Sequence, residues 1–177
     1  MIIEKLLTAP TAGQFEQIKF GQNSSEDLWL KLTDNYGNIW VASFASGTNG
    51  LEKYNKIELS GNILALINDG EFYLINTKEK KQIFKPLSNY YIDFIINPSR
   101  QILCLASFTR IEIYKDLKHL KTISPESIDG IIFNGITDNE VVGQICDAGG
   151  EWYDFKLDLN ELVIYWQGYM FGYKTKL

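Results

Sequence analysis

The residue types that most often carry catalysis or bind metals are scarce in this sequence. It has one histidine, His119, and two cysteines, Cys104 and Cys146. Zinc and non-haem iron sites need several His or Cys ligands at regular spacing, and a nucleophilic triad would have to use His119, which falls in a charged stretch between predicted strands. Cys104 lies between leucines and is expected to be buried. Alternation along its predicted strand places Cys146 on the opposite face from the apolar side chains, which predicts partial exposure. We therefore expect a protein that is not an enzyme and has no catalytic residue, no metal and no cofactor.

Carboxylates are more plentiful and leave one alternative open. Asp154 and Asp158 share one face of a predicted strand, and Glu140, Asp147 and Glu151 surround the preceding turn. Paired carboxylates can hydrolyse glycosides or bind calcium, but the turn offers too few ligands for a calcium loop. No glycine-rich phosphate-binding motif occurs. A carbohydrate-binding or carbohydrate-acting β protein therefore remains the alternative to a non-enzymatic binding module.

The strand that carries these two aspartates belongs to the last predicted hairpin. With residues 158–161 as its loop, cross-strand partners have residue numbers that sum to 319. This register pairs Leu157 with Leu162, Phe155 with Ile164, Tyr153 with Trp166, Trp152 with Gln167, Asp154 with Tyr165, and Lys156 with Val163. Because side chains alternate along a strand, the first three pairs form a core face and the last three an outward face.

A second hairpin is predicted around Asp69-Gly70, a two-residue turn that tolerates positive φ. Its register pairs residues whose numbers sum to 139, such as Ile67 with Phe72 and Leu64 with Ile75. Both faces of this hairpin are apolar, which predicts that both are buried.

Composition and charge limit the class of protein. The chain has 177 residues, of which 45% are hydrophobic, and a net charge of −5. Residues 122–173 carry nine acids against one base, which disfavours nucleic acid and favours a basic partner. The initial residues do not resemble an export signal and no apolar run is long enough to span a membrane. We expect a cytoplasmic protein that binds neither nucleic acid nor membrane.

Strand signals recur about every 40 residues from residue 28 onward. Gly70-Glu71-Phe72-Tyr73 reappears as Gly150-Glu151-Trp152-Tyr153, and Arg110–Tyr114 lies about midway between them. Four-strand units of this length are typical of propeller blades. We predict an all-β fold of antiparallel four-strand meander units, small propeller-like or an open fan, with a β-sandwich as the alternative. Residues 1–177 are expected to form a single domain, with an N-terminal segment over 1–27 and blade-like repeats over 28–173.

One motif carries a family resemblance. Asp34-x-x-Gly37-x-Ile39-Trp40-Val41 resembles the repeat motif of sensor-type β-propellers, and the later units resemble WD40-like blades. The blade pattern covers residues 28–170, the motif is recognised once, and the Trp-Asp and Gly-His signatures do not occur. The resemblance implies a platform for binding.

The outward face of the last hairpin is the predicted partner-binding site. It combines aromatic and acidic side chains, which suits a basic protein partner. The residues assigned to it are Trp152, Asp154, Asp158, Glu161, Tyr165 and Gln167. Since their side chains point away from the core, replacing Trp152, Asp154 and Asp158 is expected to leave folding intact. A small, acidic, non-enzymatic chain with such a face is similar to bacterial immunity proteins, and this resemblance implies direct binding of a basic toxin.

The scarcity of ligand residues makes a direct prediction. Thermal unfolding curves recorded with and without EDTA should superpose, because folding is expected to be independent of metal. A fall of many degrees in the melting temperature on adding EDTA would contradict it.

Overall fold

The computed structural model describes residues 1–22, 27–47, 55–125, 127 and 129–166. Within these ranges the chain forms sixteen strands and no helix. The strands are β1 (Ile2–Leu6), β2 (Glu16–Phe20), β3 (Leu28–Thr33), β4 (Ile39–Phe44), β5 (Asn55–Ser60), β6 (Ile63–Asn68), β7 (Glu71–Asn76), β8 (Lys81–Phe84), β9 (Asp93–Asn97), β10 (Ile102–Ala106), β11 (Ile111–Lys115), β12 (Lys118–Ile123), β13 (Gly130–Ile136), β14 (Glu140–Cys146), β15 (Trp152–Asp158) and β16 (Val163–Trp166).

The strands form four four-stranded sheets in succession along the chain. The second sheet (β5–β8), the third (β9–β12) and the fourth (β13–β16) are antiparallel meanders in chain order. The first sheet has the order β1-β3-β4-β2. The prediction of an all-β fold built from propeller-like four-strand units is confirmed.

The first sheet contains two strands that the sequence did not reveal. Strands β1 and β2 come from the predicted N-terminal segment, and β2 pairs with β4 in parallel. The connection between β1 and β2 crosses from one edge of the sheet to the other, and the Phe15 ring lies 5.8 Å from Nζ of Lys31 on β3. The strand order and the parallel pairing of β2 with β4 distinguish this unit from the meander pattern of the later sheets.

The chain divides into two compact units, Met1–Asn89 and Tyr90–Leu177. Within each unit, the apolar face of one sheet contributes to a shared core with the apolar face of the next. In the first unit this core is formed by Phe20, Leu28, Leu30, Leu32, Trp40, Ala42, Phe44, Leu64, Leu66, Tyr73 and Ile75. In the second unit it is formed by Ile102, Cys104, Ala106, Ile111, Ile113, Ile123, Ile131, Phe133, Val141, Ile145, Phe155, Leu157, Leu159 and Ile164. That residues 1–177 form a single domain stays a prediction.

Two polar side chains of β9 join the third and fourth sheets. Asp93 is buried, and its Oδ2 accepts the backbone N–H of Phe133 at 2.6 Å. The Nδ2 of Asn97 donates to the carbonyl oxygen of Thr137 at 2.9 Å. Both bonds link residues 40 positions apart, which is the length of the sequence repeat. A buried carboxylate is costly unless it is paired or hydrogen-bonded, so these bonds specify how one repeat meets the next.

The hairpin at Asp69-Gly70 has the predicted register. Ile67 pairs with Phe72 and Leu64 with Ile75, and these side chains are buried on both faces. Asp69 and Gly70 have φ of 48° and 88°. A turn with two left-handed residues matches the right-handed twist of the flanking strands, which leaves a single possible register.

The loop of the last hairpin begins one residue later than predicted, which shifts every cross-strand partner by two residues. Its loop is 159–162 instead of 158–161, so partner numbers sum to 321: Lys156 pairs with Tyr165 and Leu157 with Ile164. The physical reason is that Leu159 is 4% exposed and belongs to the core. The pairings of Asp154 with Tyr165 and of Phe155 with Ile164 were therefore wrong, and the pairing of Trp152 with Gln167 lies outside the described residues. The assignment of the described side chains to the two faces is unchanged, because moving a partner by two residues preserves its face.

Asp158 organises this loop. Its Oδ1 accepts the backbone N–H groups of Asn160 at 2.7 Å and of Glu161 at 3.0 Å. These two backbone hydrogen bonds, helped by the nearby charge of Arg100, hold the pKa of the Asp158 carboxyl below its usual value. These hydrogen bonds argue against the expectation that Asp158 can be replaced without affecting folding, since a side chain that caps a turn contributes to stability.

The Asp69-Gly70 turn makes a stability prediction. Gly70→Val should destabilise the protein by about 1–3 kcal/mol, because a β-branched residue is strained at positive φ. Gly70→Asn is the matched control and should cost less, since asparagine tolerates this conformation. Urea unfolding measures both variants, and equal effects of valine and asparagine would count against a strained turn.

The Asp158 loop makes a prediction about pH. A folded-state pKa below the unfolded value means that the ionised carboxylate stabilises the folded state above the unfolded pKa, and that this contribution is lost as pH falls through the folded pKa. Asp158→Asn should therefore lower the free energy of unfolding near pH 7, and the difference from the wild type should shrink below about pH 4. A difference that stayed constant between about pH 7 and pH 3 would show that the charge has no role.

Candidate functional site

Strand β15 places the predicted site residues on the outward face of the fourth sheet. Its inward side chains Phe155 and Leu157 are buried in the core. Trp152 and Asp154 are exposed, Asp158 is partly exposed at the end of the strand, and Tyr165 of the neighbouring strand β16 is 49% exposed. Glu161 is exposed in the loop. Gln167 lies outside the described residues. Alternation along β15 thus brings Trp152, Asp154 and Asp158 onto one surface.

A tight loop before β15 determines where this strand begins. Oδ1 of Asp147 accepts the N–H of Gly149 at 2.7 Å and of Glu151 at 3.1 Å, and Gly150 has a φ of 81°. Asp34 bonds the N–H groups of Tyr36 and Asn38 in the same way. Both loops also have a bond between the first N–H and the fifth carbonyl. The Asp-x-x-Gly motif therefore occurs twice, at 34–38 and at 147–151, and the second copy positions Trp152.

The Trp152 side chain lies beside Gly130 and is also exposed. A Cβ atom added to Gly130 would lie 3.2 Å from Cη2 of Trp152, so the benzene edge of the indole lies close to the glycine backbone. Gly130 has a φ of 146°, which favours glycine. The side chain is nevertheless 45% exposed. The fold thus holds a large aromatic ring in a defined position at the surface.

The acidic side chains of this face accept different hydrogen bonds. Oδ1 of Asp154 accepts a hydrogen bond from the side-chain amide of Gln144 at 3.0 Å. Asp158 accepts backbone hydrogen bonds within its own loop. Lys156 was assigned to the outward face but not to the site, and it lies between Asp154 and Asp158 along the strand and opposite Tyr165. Its positive charge reduces the acidity of the middle of the face.

The observed register separates the two exposed aromatic side chains. Tyr165 lies opposite Lys156, four residues along β15 from Trp152, which corresponds to about 13 Å at the usual rise of a strand. The predicted pairing with Asp154 would have placed Tyr165 only two residues away. Trp152 and Tyr165 are therefore separate contact points instead of one aromatic cluster.

Of the single histidine and the two cysteines, Cys146 is the one beside the predicted site, as the cross-strand partner of Trp152. Cys104 is fully buried, as predicted, and burial raises the pKa of its thiol to about 12. Cys146 is also buried, so its predicted partial exposure is wrong; desolvation, followed by the charges of Asp129, Asp147 and Glu151, raises the pKa of its thiol. His119 lies within β12, with Nε2 2.9 Å from Oγ1 of Thr122.

No group of three or more His, Cys, Asp or Glu side chains in the described residues is placed to hold a metal ion. In the same residues, no helix is long and apolar enough to cross a membrane.

Comparison with known proteins gives a likeness in fold alone. No protein-family model and no curated protein matches this sequence. Among solved structures, the chain is similar to the crystal structure of the computationally designed Ika4 protein, at 13% identity and a TM-score of 0.46, over 82% of this chain and 92% of that chain.

Proposed function

We propose that this chain is a non-enzymatic protein-binding module whose partner is a basic protein. The observation that carries the proposal is the exposed indole of Trp152, which lies beside Gly130 on an acidic sheet face. Exposed aromatics that are already ordered make good binding anchors, because little conformational entropy is lost when they are covered. The specific form of the proposal is an immunity protein that neutralises a basic toxin by direct binding in the cytoplasm.

The charge of the fourth sheet and its loops supports a basic partner. Residues 129–166 contain one base, Lys156, and eight acids: Asp129, Asp138, Glu140, Asp147, Glu151, Asp154, Asp158 and Glu161. An excess of one sign on a surface steers an oppositely charged protein and accelerates association. It also repels nucleic acid, whose backbone is negative. These charges therefore favour a basic protein as the partner.

Binding of this kind requires no cofactor. The Cys104 thiol is buried with a raised pKa, so it would not supply a thiolate near neutral pH. His119 bonds to Thr122 on an edge strand of the third sheet, whereas the outward face belongs to the fourth. The proposal accordingly assigns binding roles to Trp152, Asp154 and Tyr165 and no catalytic role to any residue.

A genetic experiment tests the immunity role. An immunity gene is expected directly downstream of the gene for its toxin, so the domain encoded at the end of the upstream gene should arrest growth when expressed alone. Co-expression of this chain should restore growth, and the purified pair should form a complex. A toxic upstream product that this chain neither binds nor neutralises would overturn the immunity role. Saturable binding of a glycan would favour the carbohydrate alternative.

The kinetics of the complex should separate charge from aromatic contact. Asp154→Lys should slow association and flatten its dependence on salt, since carboxylates act mainly during encounter. Trp152→Ala should instead speed dissociation, with a loss of about 2 kcal/mol in binding free energy. Surface plasmon resonance with the purified partner measures both rates.

Matched controls lie in the other unit of the chain. Glu79→Lys reverses one exposed charge in the turn before β8, and Tyr36→Ala removes an exposed aromatic side chain from the loop before β4. Neither should change the two rates by as much as its counterpart. Folded Trp152→Ala and Asp154→Lys variants that bind like the wild type would place the binding site elsewhere.

A further inference from the structure

The two ends of the outward face differ in how their negative charge is compensated. Near the loop of the last hairpin, Arg100 donates to the carbonyl oxygen of Asp138 and, at 3.2 Å, to Oδ1 of Asn160. Hydrogen bonds from Ser99 and Asn97 lower the pKa of the Asp138 carboxyl, and backbone hydrogen bonds from Glu161 and Asn160 lower the pKa of the Asp158 carboxyl. The charge of Arg100 lowers both further. At this end of the face, the carboxylates therefore already accept hydrogen bonds within the protein and lie near a positive charge.

Within the described residues, the end that carries Trp152 has no such compensation. Desolvation, followed by the charges of Asp129, Asp147 and Glu151, raises the pKa of the Cys146 thiol, and Cys146 is the cross-strand partner of Trp152. Asp147 is engaged by its own loop. Over the described parts of the chain, neither Asp129 nor Glu151 forms an ion pair, and Asp154 is bonded through only one oxygen, to the neutral Gln144.

We propose that Trp152 is a stacking site for an arginine side chain of the protein partner, with Glu151, Asp154 and Asp129 as the surrounding carboxylates. This inference rests on the proposed function and specifies the chemistry that its site recognises. A guanidinium group over an indole face gains a cation–π attraction. The benzene edge of the ring lies close to Gly130 and the side chain is 45% exposed, so indole surface is available to a flat, weakly hydrated cation.

Arginine suits this site better than lysine. Its planar guanidinium can stack on a ring while its edge donates hydrogen bonds to carboxylates, whereas an ammonium is a compact and strongly hydrated charge. Oδ2 of Asp154 has no hydrogen-bond partner in the described chain, and Asp154 shares the outward face of β15 with Trp152. Glu151 immediately precedes Trp152. The site thus offers a stacking surface with carboxylate acceptors on neighbouring residues of the chain.

Blocked tripeptides provide the probe, since they contain the side chain and nothing else of a partner. Acetyl-Gly-Arg-Gly-amide is titrated into the ¹⁵N-labelled full chain, and the indole N–H resonance of Trp152 is followed after assignment with Trp152→Phe. The arginine peptide should shift this resonance saturably, and the lysine peptide should bind about threefold more weakly. The citrulline peptide, which has the same shape without the charge, should cause no saturable shift.

Variants separate the stacking contribution from the charge contribution. The double variant Glu151→Gln, Asp154→Asn should weaken the arginine peptide about fivefold and remove most of its salt dependence. Trp152→Leu, followed on backbone resonances of β15, should abolish binding. Glu79→Gln, a matched neutralisation in the first unit, should leave the affinity unchanged.

Several outcomes would overturn the inference. These are an unshifted indole resonance, equal binding of arginine and citrulline, or an arginine affinity that is unaffected in the folded double variant. If the peptides fail while Trp152→Ala still releases a purified basic partner, the arginine site is wrong and the proposed function stands. If the peptides bind but no basic protein depends on Trp152, the proposed function is wrong and the cation site stands.

Discussion

Every sheet of this protein depends on the burial of one apolar face against its neighbour in sequence. A four-stranded sheet of about 25 residues has too little core of its own to be stable in water. Strands β10, β11, β14 and β15 accordingly contribute alternate side chains to one shared core. The carboxylate of Asp93 and the amide of Asn97 then define the alignment of the two sheets, because each bonds the backbone of the following repeat. Apolar burial supplies the stability and these polar bonds supply the specificity.

This dependence explains which parts of the fold could be predicted. The Asp69-Gly70 hairpin was predictable to the residue, because a two-residue turn with positive φ allows one register. The last hairpin has a four-residue loop, and whether it began at Asp158 or at Leu159 depended on the burial of Leu159 in the core. That burial is a tertiary effect and leaves no local signal. Strands β1 and β2 were missed for a related reason: they are short, lie at sheet edges and contain many exposed polar positions. The connection between β1 and β2 crosses the sheet, so the two strands pair with different neighbours at opposite edges.

The candidate site was predictable as a face but not as a set of contacts. Alternation along β15 placed Trp152, Asp154 and Asp158 outward whatever the register, because an error of two positions preserves the face. It could not indicate that Tyr165 lies opposite Lys156, or that Asp158 is needed for its own loop. The sequence does contain one local signal for the position of Trp152. The spacing of Asp147 and Gly150 repeats that of Asp34 and Gly37, and the shared loop geometry explains why Trp152 stands at the start of its strand.

The outward face therefore divides into a part that stabilises the fold and a part that is free to bind. At the loop end, Asp158 and Asp138 accept hydrogen bonds and lie beside Arg100, so a partner that recruited them would compete with the folded structure. At the other end, neither Glu151 nor Asp129 forms an ion pair in the described chain. Under the proposal, these carboxylates are available to pair with an arginine that stacks on Trp152. Tyr165 differs, because its cross-strand neighbour is the cation Lys156. The proposed arginine site is therefore expected at Trp152 and not at Tyr165.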